Sequence, residues 1–232
     1  MTNIDFEIYL YLSKKKFAIF VTGENNNKLY QKELIIDNFS NNLDFVELDI
    51  FFRENIFKIE KILKKFVNNI YVILDDEKLN SFDISIKKKN SGDFIESKSI
   101  NYALNEARDD CNNTLKGNKI IHIIIDSFYL DGKKYLKIPN NVYCKYFSLD
   151  IKFICLPKEY LQNIENIIGR YHVSINRLLS MQYLKFLFAD ENLDLTQMAK
   201  KTMDGYNLNE VVLTSKRSKN MTFFEKFFHF FD

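Results

Sequence analysis

The sequence predicts a mixed α/β protein built from two modules. Three observations carry that reading. Short β-branched runs recur along the chain, and amphipathic stretches of helical period stand between them. Near the middle, Ile120, Ile121, Ile123, Ile124 and Ile125 form a run broken only by His122. Such a run reads as a strand buried on both faces. It leads to Asp131-Gly132, a strong hairpin signal, because both central residues of a type I′ turn need positive φ.

The elements follow in order. Residues 8–12 and 17–21 read as strands joined by Ser13-Lys14-Lys15-Lys16, and residues 29–36 as a third strand. Residues 49–67 read as a helix, with Phe52, Ile56, Ile59, Leu63 and Phe66 on one stripe and lysines between them. The strand at 70–74 runs parallel to an earlier one, since a helix carries the chain across. Residues 82–86 alternate as a strand, and Ser99 is placed as the N-cap of a helix through Cys111. After the central strand, residues 133–138 form the return arm, ended by Pro139. Leu149, Ile151, Phe153 and Cys155 alternate with polar residues as a half-buried strand. Pro157 opens a helix whose apolar face is Tyr160, Leu161, Ile164, Ile167, Ile168 and Tyr171. Residues 196–203 read as a short helix, and 211–213 as a short strand or linker.

Composition excludes several classes. With 46% apolar and 15% aromatic residues, the chain can bury a sizeable core. A net charge of +2 from charges of both signs gives no basis for a nucleic-acid partner. The three cysteines lack metal-ligand or redox spacing and read as buried thiols. No apolar run reaches the ~20 residues of a spanning helix. His122 reads as a core histidine, because no second His or Cys supports it as a ligand. Asp75 and Asp76 are the carboxylates at a plausible strand end, and both read as loop acids rather than a two-metal site.

Residues 122–132, HIIIDSFYLDG, resemble the inserted-domain strand and turn of the bacterial cell-division FtsA family, which belongs to the actin-like ATPase superfamily. That family reads His-apolar-Ile-Pro-Gln-Ser-Tyr-x-Leu-Asp-Gly; His122, Ser127, Phe128, Leu130, Asp131 and Gly132 carry the match, and Ile125-Asp126 replace Pro-Gln. Ala107-Arg108, Leu149-Asp150-Ile151, Gln162-Asn163 and Leu179-Ser180 are further points in the same order. The resemblance implies a ribonuclease-H/actin-like first subdomain at 1–89 and 172–188. It also implies an inserted strand–helix–strand–strand (SHS2-like) module at 90–171 and a linker at 189–220. In this superfamily the first strand ends Asp-x-Gly-(Thr/Ser) and cradles nucleotide phosphates. Here Tyr11, Ser13 and Lys14 stand at that loop, without the carboxylate or the glycine. The expectation is therefore no cofactor, no metal and no enzymatic activity, in a chain lacking the second nucleotide-binding half.

Residues 221–232, MTFFEKFFHFFD, place Phe223, Phe224, Phe227, Phe228, Phe230 and Phe231 on one helical arc of about 160°. Lys226 lies opposite, and Lys216, Arg217 and Lys219 precede the helix. Such a segment reads as an amphipathic membrane-targeting helix, as in the family. The expected role is a division adaptor, peripheral at the cytoplasmic face of the inner membrane. Its inserted module (Ser127, Phe128, Asp131, Gly132) would contact divisome proteins, with FtsZ or self-association both open. Alternatives are an actin-like scaffold of a type IV pilus or secretion system, or a degenerate ATP-binding protein.

Overall fold

The computed structural model describes residues 6–24, 27–37, 42–137 and 142–212. They form a mixed α/β structure with two sheets and five helices. The described residues divide into two compact units: those within 1–79 and 157–203, and those within 80–156 and 204–212.

The first unit opens with β1 (Glu7–Ser13), β2 (Lys16–Thr22) and β3 (Lys28–Ile35). Helix α1 (Phe45–Leu63) then crosses to β4 (Asn69–Asp75). The later elements are α3 (Lys158–Gly169), β9 (Ser174–Ser180), α4 (Met181–Leu187) and α5 (Leu195–Met203). The sheet order is β3-β2-β1-β4-β9. β1–β2 and β2–β3 are antiparallel, whereas β1–β4 and β4–β9 are parallel, as the crossover helix predicts. One face packs on α1, where Phe17 meets Phe51 at 6.0 Å between ring centres. Tyr9, Ala18, Phe20, Ile73 and Leu179 on the other face pack with Leu184, Phe188 and Ala199 from the last helices. Both faces are covered, and that is why β2 reads as an almost unbroken apolar run.

Helix α1 starts four residues before its expected beginning. The Asp44 carboxylate accepts from the N–H groups of Val46 and Glu47 and caps the helix there. It also ends sooner. Lys64 adopts the left-handed conformation at φ 53°, and its N–H donates to the Glu60 carbonyl. Phe66, expected on the buried stripe, therefore lies past the helix and is 84% exposed.

The second unit comprises β5 (Asn80–Lys89), α2 (Ser97–Thr114), β6 (Asn118–Leu130), β7 (Lys133–Tyr135) and most of β8 (Tyr146–Pro157). Its sheet order is β5-β8-β6-β7. Ile100, Ala103, Ala107 and Cys111 turn the predicted face of α2 into a core with Ile123, Ile125, Leu149, Ile151 and Phe153. Ser99 is not its cap; the helix begins at Ser97 after Glu96, which makes no side-chain capping bond.

Three boundaries depart from expectation. β5 belongs with the second unit because it pairs with β8 along its whole length, Asn80↔Cys155 through Lys89↔Tyr146. α3 belongs with the first, where Tyr160 packs on Phe45 at 5.5 Å. The stretch expected as a linker contains α5, with Thr196, Ala199 and Thr202 buried, and a segment bonded to β6. Within that segment Ile125 N–H donates to the Asn209 carbonyl at 2.9 Å, and Val211 N–H to Ile123 at 2.8 Å. The hydrogen bonds of this edge give residues 207–211 a place in the fold. The expected tail residues Lys216, Arg217, Lys219, Phe223, Phe224, Lys226, Phe227, Phe228, Phe230 and Phe231 lie outside the described residues, as does Ile138 of the return arm. Among the described residues no helix is long and apolar enough to cross a membrane.

Candidate functional site

The first place is the end of β1, where the family resemblance implies a phosphate loop. β1 and β2 join through a two-residue turn, Lys14-Lys15, closed by the pair Ser13↔Lys16. The Ser13 hydroxyl donates to the Lys16 carbonyl and accepts from the Lys16 N–H, both at 3.0 Å. It thus binds the hairpin itself. Neither turn residue has positive φ, so no row of N–H groups is turned towards a ligand by a left-handed step.

Tyr11, which the resemblance sets in place of a carboxylate, is half-buried on β1. Its hydroxyl donates to Asp75 Oδ2 at 3.0 Å, a contact made possible by the register Tyr11↔Ile73, Ser13↔Asp75. Lys185 Nζ lies 3.2 Å from the same oxygen. Two of the three lysines here are matched by acids: Lys14 with Glu77 at 3.7 Å, and Lys16 with Glu33 at 3.3 Å. A nucleotide–metal pair needs a free carboxylate, a close backbone approach and unmatched positive charge. Tyr11, Ser13 and Lys14 do not fit that group.

Asp76 is distinct from Asp75. It is buried, and its Oδ2 accepts the Tyr160 hydroxyl at 2.5 Å. Its Oδ1 accepts the Lys78 N–H at 2.8 Å. Asp76 therefore ties the end of β4 to α3 and shapes the following turn. Among the described residues no group of three or more His, Cys, Asp or Glu is placed to hold a metal.

The second place is the β6–β7 turn. Asp131 has φ 48° and Gly132 φ 87°, the geometry required by the Asp-Gly signal. The Asp131 carboxylate accepts from Lys145 N–H at 2.9 and 3.1 Å and from Tyr146 N–H at 2.9 Å. Ser127 is buried and donates to Asp150 Oδ2 at 3.1 Å, and Phe128 is in the core. Ser127 and Phe128 thus present no surface to a partner. Among the described residues, the exposed aromatic groups of this unit are instead Phe94, Tyr102, Tyr143, Tyr146 and Tyr206. Helical spacing could have flagged Tyr102, which lies off the predicted stripe of α2.

His122 is buried and its Nδ1 lies 2.7 Å from Glu210 Oε1. The core-histidine reading fits this placement. Its carboxylate partner, 88 positions away, was not foreseen from the sequence.

Several buried or half-buried hydroxyl and thiol groups are held neutral. Burial pushes the Tyr11 phenol up to about 12, opposed by its contact with Ser13 and assisted by the Asp75 charge. Burial, then the Cys111 thiol beside it, pushes Cys155 up to about 12. Tyr160 is raised above the ordinary tyrosine value by burial, then by its bond to Asp76. All of these pKa values are higher folded than unfolded. Their stabilisation is complete below the unfolded values of about 9 for thiol and 10 for phenol, and is lost as pH climbs towards 12. Urea midpoints measured from neutral to strongly alkaline pH should therefore fall steadily once pH passes about 9. A flat alkaline limb would contradict the burial of these groups.

No family model and no curated protein matches the sequence. Among solved structures, the chain is similar to the cytoplasmic domain of EpsL, an inner membrane component of the type II secretion system of Vibrio cholerae. Identity there is 12%, over 76% of this chain and 56% of that one, with a TM-score of 0.35. It is similar to the PilM–PilN type IV pilus biogenesis complex at 10% identity, over 79% and 50%, with a TM-score of 0.43. A Bacteroides thetaiotaomicron protein of actin-like ATPase fold and unknown function matches at 11% identity, over 81% and 57%, with a TM-score of 0.32. The chain spans about half the length of these structures.

Proposed function

We propose that this chain is a non-catalytic, actin-like scaffold at the cytoplasmic face of a bacterial inner membrane, in an assembly of the type II secretion or type IV pilus kind. One observation carries the non-catalytic part. The turn that would grip phosphate is closed on itself by Ser13, with Tyr11 bonded to Asp75 and Lys14 and Lys16 matched by acids. The sheet order β3-β2-β1-β4 with β1 and β4 parallel supports the actin-like part. The second unit, reached from β4 and left at α3, is read as the SHS2-like module and as the docking platform for a protein partner.

The secretion or pilus setting replaces cell division as the first reading. EpsL and PilM–PilN are components of such systems, and the scaffold role needs no nucleotide chemistry. Division remains the second reading. The observation favouring it is the Asp131-Gly132 turn in the positive-φ geometry that the Leu-Asp-Gly resemblance implies. In either setting the aromatic tail at 221–232 would hold the chain on lipid.

Titration with a fluorescent ATP analogue and magnesium tests the non-catalytic part. The expected result is no saturable binding by the wild type or by Lys14→Ala. Saturable binding that Lys14→Ala abolishes would overturn it. Imaging of a tagged full chain separates the settings: polar foci or patches favour secretion or pili, and a midcell band favours division.

A further inference from the structure

The C-terminal end of α1 has a surface that the core does not explain. The buried stripe of this helix is Leu48, Phe51, Phe52, Ile56 and Ile59. Outside it, Phe57 is 59% exposed, Ile62 51% and Phe66 84%. Lys58, Lys61, Lys64 and Lys65 alternate with these three residues along the chain, and all four are exposed. In residues 57–66 four lysines thus face one acid, Glu60. The Glu60 carboxylate accepts the Val67 N–H at 3.0 Å, so it is already engaged in closing the helix end.

The geometry holds the apolar groups outward. The left-handed step at Lys64 turns the chain out of the helix, and Val67 is buried at 2% exposure. Phe66 is fixed between these two points with its ring in solvent. The Phe57 ring rests edge-on against Tyr171, with centres 6.1 Å apart. Large exposed apolar side chains interleaved in sequence with exposed lysines match a lipid surface. Rings can enter the acyl boundary, and the ammonium groups stay at anionic headgroups.

We infer that the end of α1, Phe57, Ile62 and Phe66 with Lys58, Lys61, Lys64 and Lys65, is a contact for anionic membrane within the folded first unit. The inference rests on the peripheral-membrane reading and gives it an anchor distinct from the tail. Charge decides between lipid and an apolar protein groove. A groove would tolerate one or two lysines at its rim, whereas here four exposed lysines and one acid lie in the ten residues 57–66 that carry the exposed apolar groups.

The test is flotation of the full chain with phosphatidylcholine vesicles, with and without about one-quarter phosphatidylglycerol. Lys58→Glu, Lys61→Glu and Phe66→Ser together should weaken binding to the anionic vesicles by about tenfold or more. The anionic binding of the wild type should also fall with salt, as the Debye length shrinks from ~10 Å at 0.1 M to ~3 Å at 1 M. All three residues are exposed, so the thermal melt should be unchanged, which separates lost contact from lost fold. Phe227→Asp with Phe228→Asp tests the tail in parallel. If the α1 variant floats like the wild type while the tail variant does not, the α1 contact is refuted and the membrane reading stands. If the α1 variant loses binding equally on neutral and anionic vesicles, the claim of anionic recognition is refuted. If the wild type does not float on either, the membrane reading fails and the inference falls with it.

Discussion

Glu210→Ala lowers the stability of the second unit by about 3 kcal/mol, the range for removing one partner of a buried polar pair. The reason is local and specific. His122 is 1% exposed and Glu210 4%, and Nδ1 and Oε1 are 2.7 Å apart. Removing the carboxylate leaves the ring nitrogen in an apolar strand without that partner. Glu210→Gln keeps an oxygen at that place and costs less. A double-mutant cycle with His122→Ala gives a coupling energy of at least about 1 kcal/mol. Hydrogen exchange supplies a second readout. The N–H groups of Ile125 and Val211 bond across the same segment and should lose protection together. A change under about 0.5 kcal/mol with protection intact would mean that the pair does not hold residues 207–211 to β6.

Tyr160→Phe costs the first unit about 2 kcal/mol, although the ring is kept. Phe45 lies 5.5 Å from the ring and Lys78 Nζ 5.1 Å, and a phenyl group preserves both contacts. Only the hydroxyl is lost, and with it the 2.5 Å bond to the buried carboxylate of Asp76. The carboxylate then keeps its bond from Lys78 N–H but has lost a donor inside the core. Asp76→Asn keeps one acceptor oxygen for the Lys78 N–H and turns an amide N–H to the phenol oxygen, which can accept it, and is the milder change. The pH dependence identifies the cause. The neutral phenol is favoured on folding, so the wild type loses this contribution above about pH 10, and the variant has none to lose. Urea titration should show the two proteins converging as pH rises. Parallel curves would mean that the hydroxyl is not the source of the difference.

Much of the strand and helix content was legible because exposure patterns are local. The isoleucines at 120–125 announced a doubly covered strand, and Asp131-Gly132 announced its turn. The stripe of α1 was legible too, but its limits were not. Asp44 with Glu47 three residues later is a capping pattern that would have placed the start. The end at Lys64 carries no glycine, so nothing in the pattern marked it. Of the candidate site, the absence of a carboxylate at Tyr11 and of a glycine at Ser13 could be read directly. The hydrogen bonds that close the turn could not, since Tyr11 and Asp75 are 64 positions apart.

The sequence by itself determined the α/β class, the central hairpin, the apolar faces of the helices and the unsuitable chemistry of the first turn. Each of these depends on neighbours a few residues away, through side-chain period or backbone φ. The tertiary structure alone decided that β5 joins the second unit and α3 the first, that Asp76 and Glu210 are buried against Tyr160 and His122, and that Phe66 faces solvent. Those outcomes depend on which distant strands pair and which polar groups are enclosed when they do. Chain closure over many tens of residues sets that, and no local pattern encodes it.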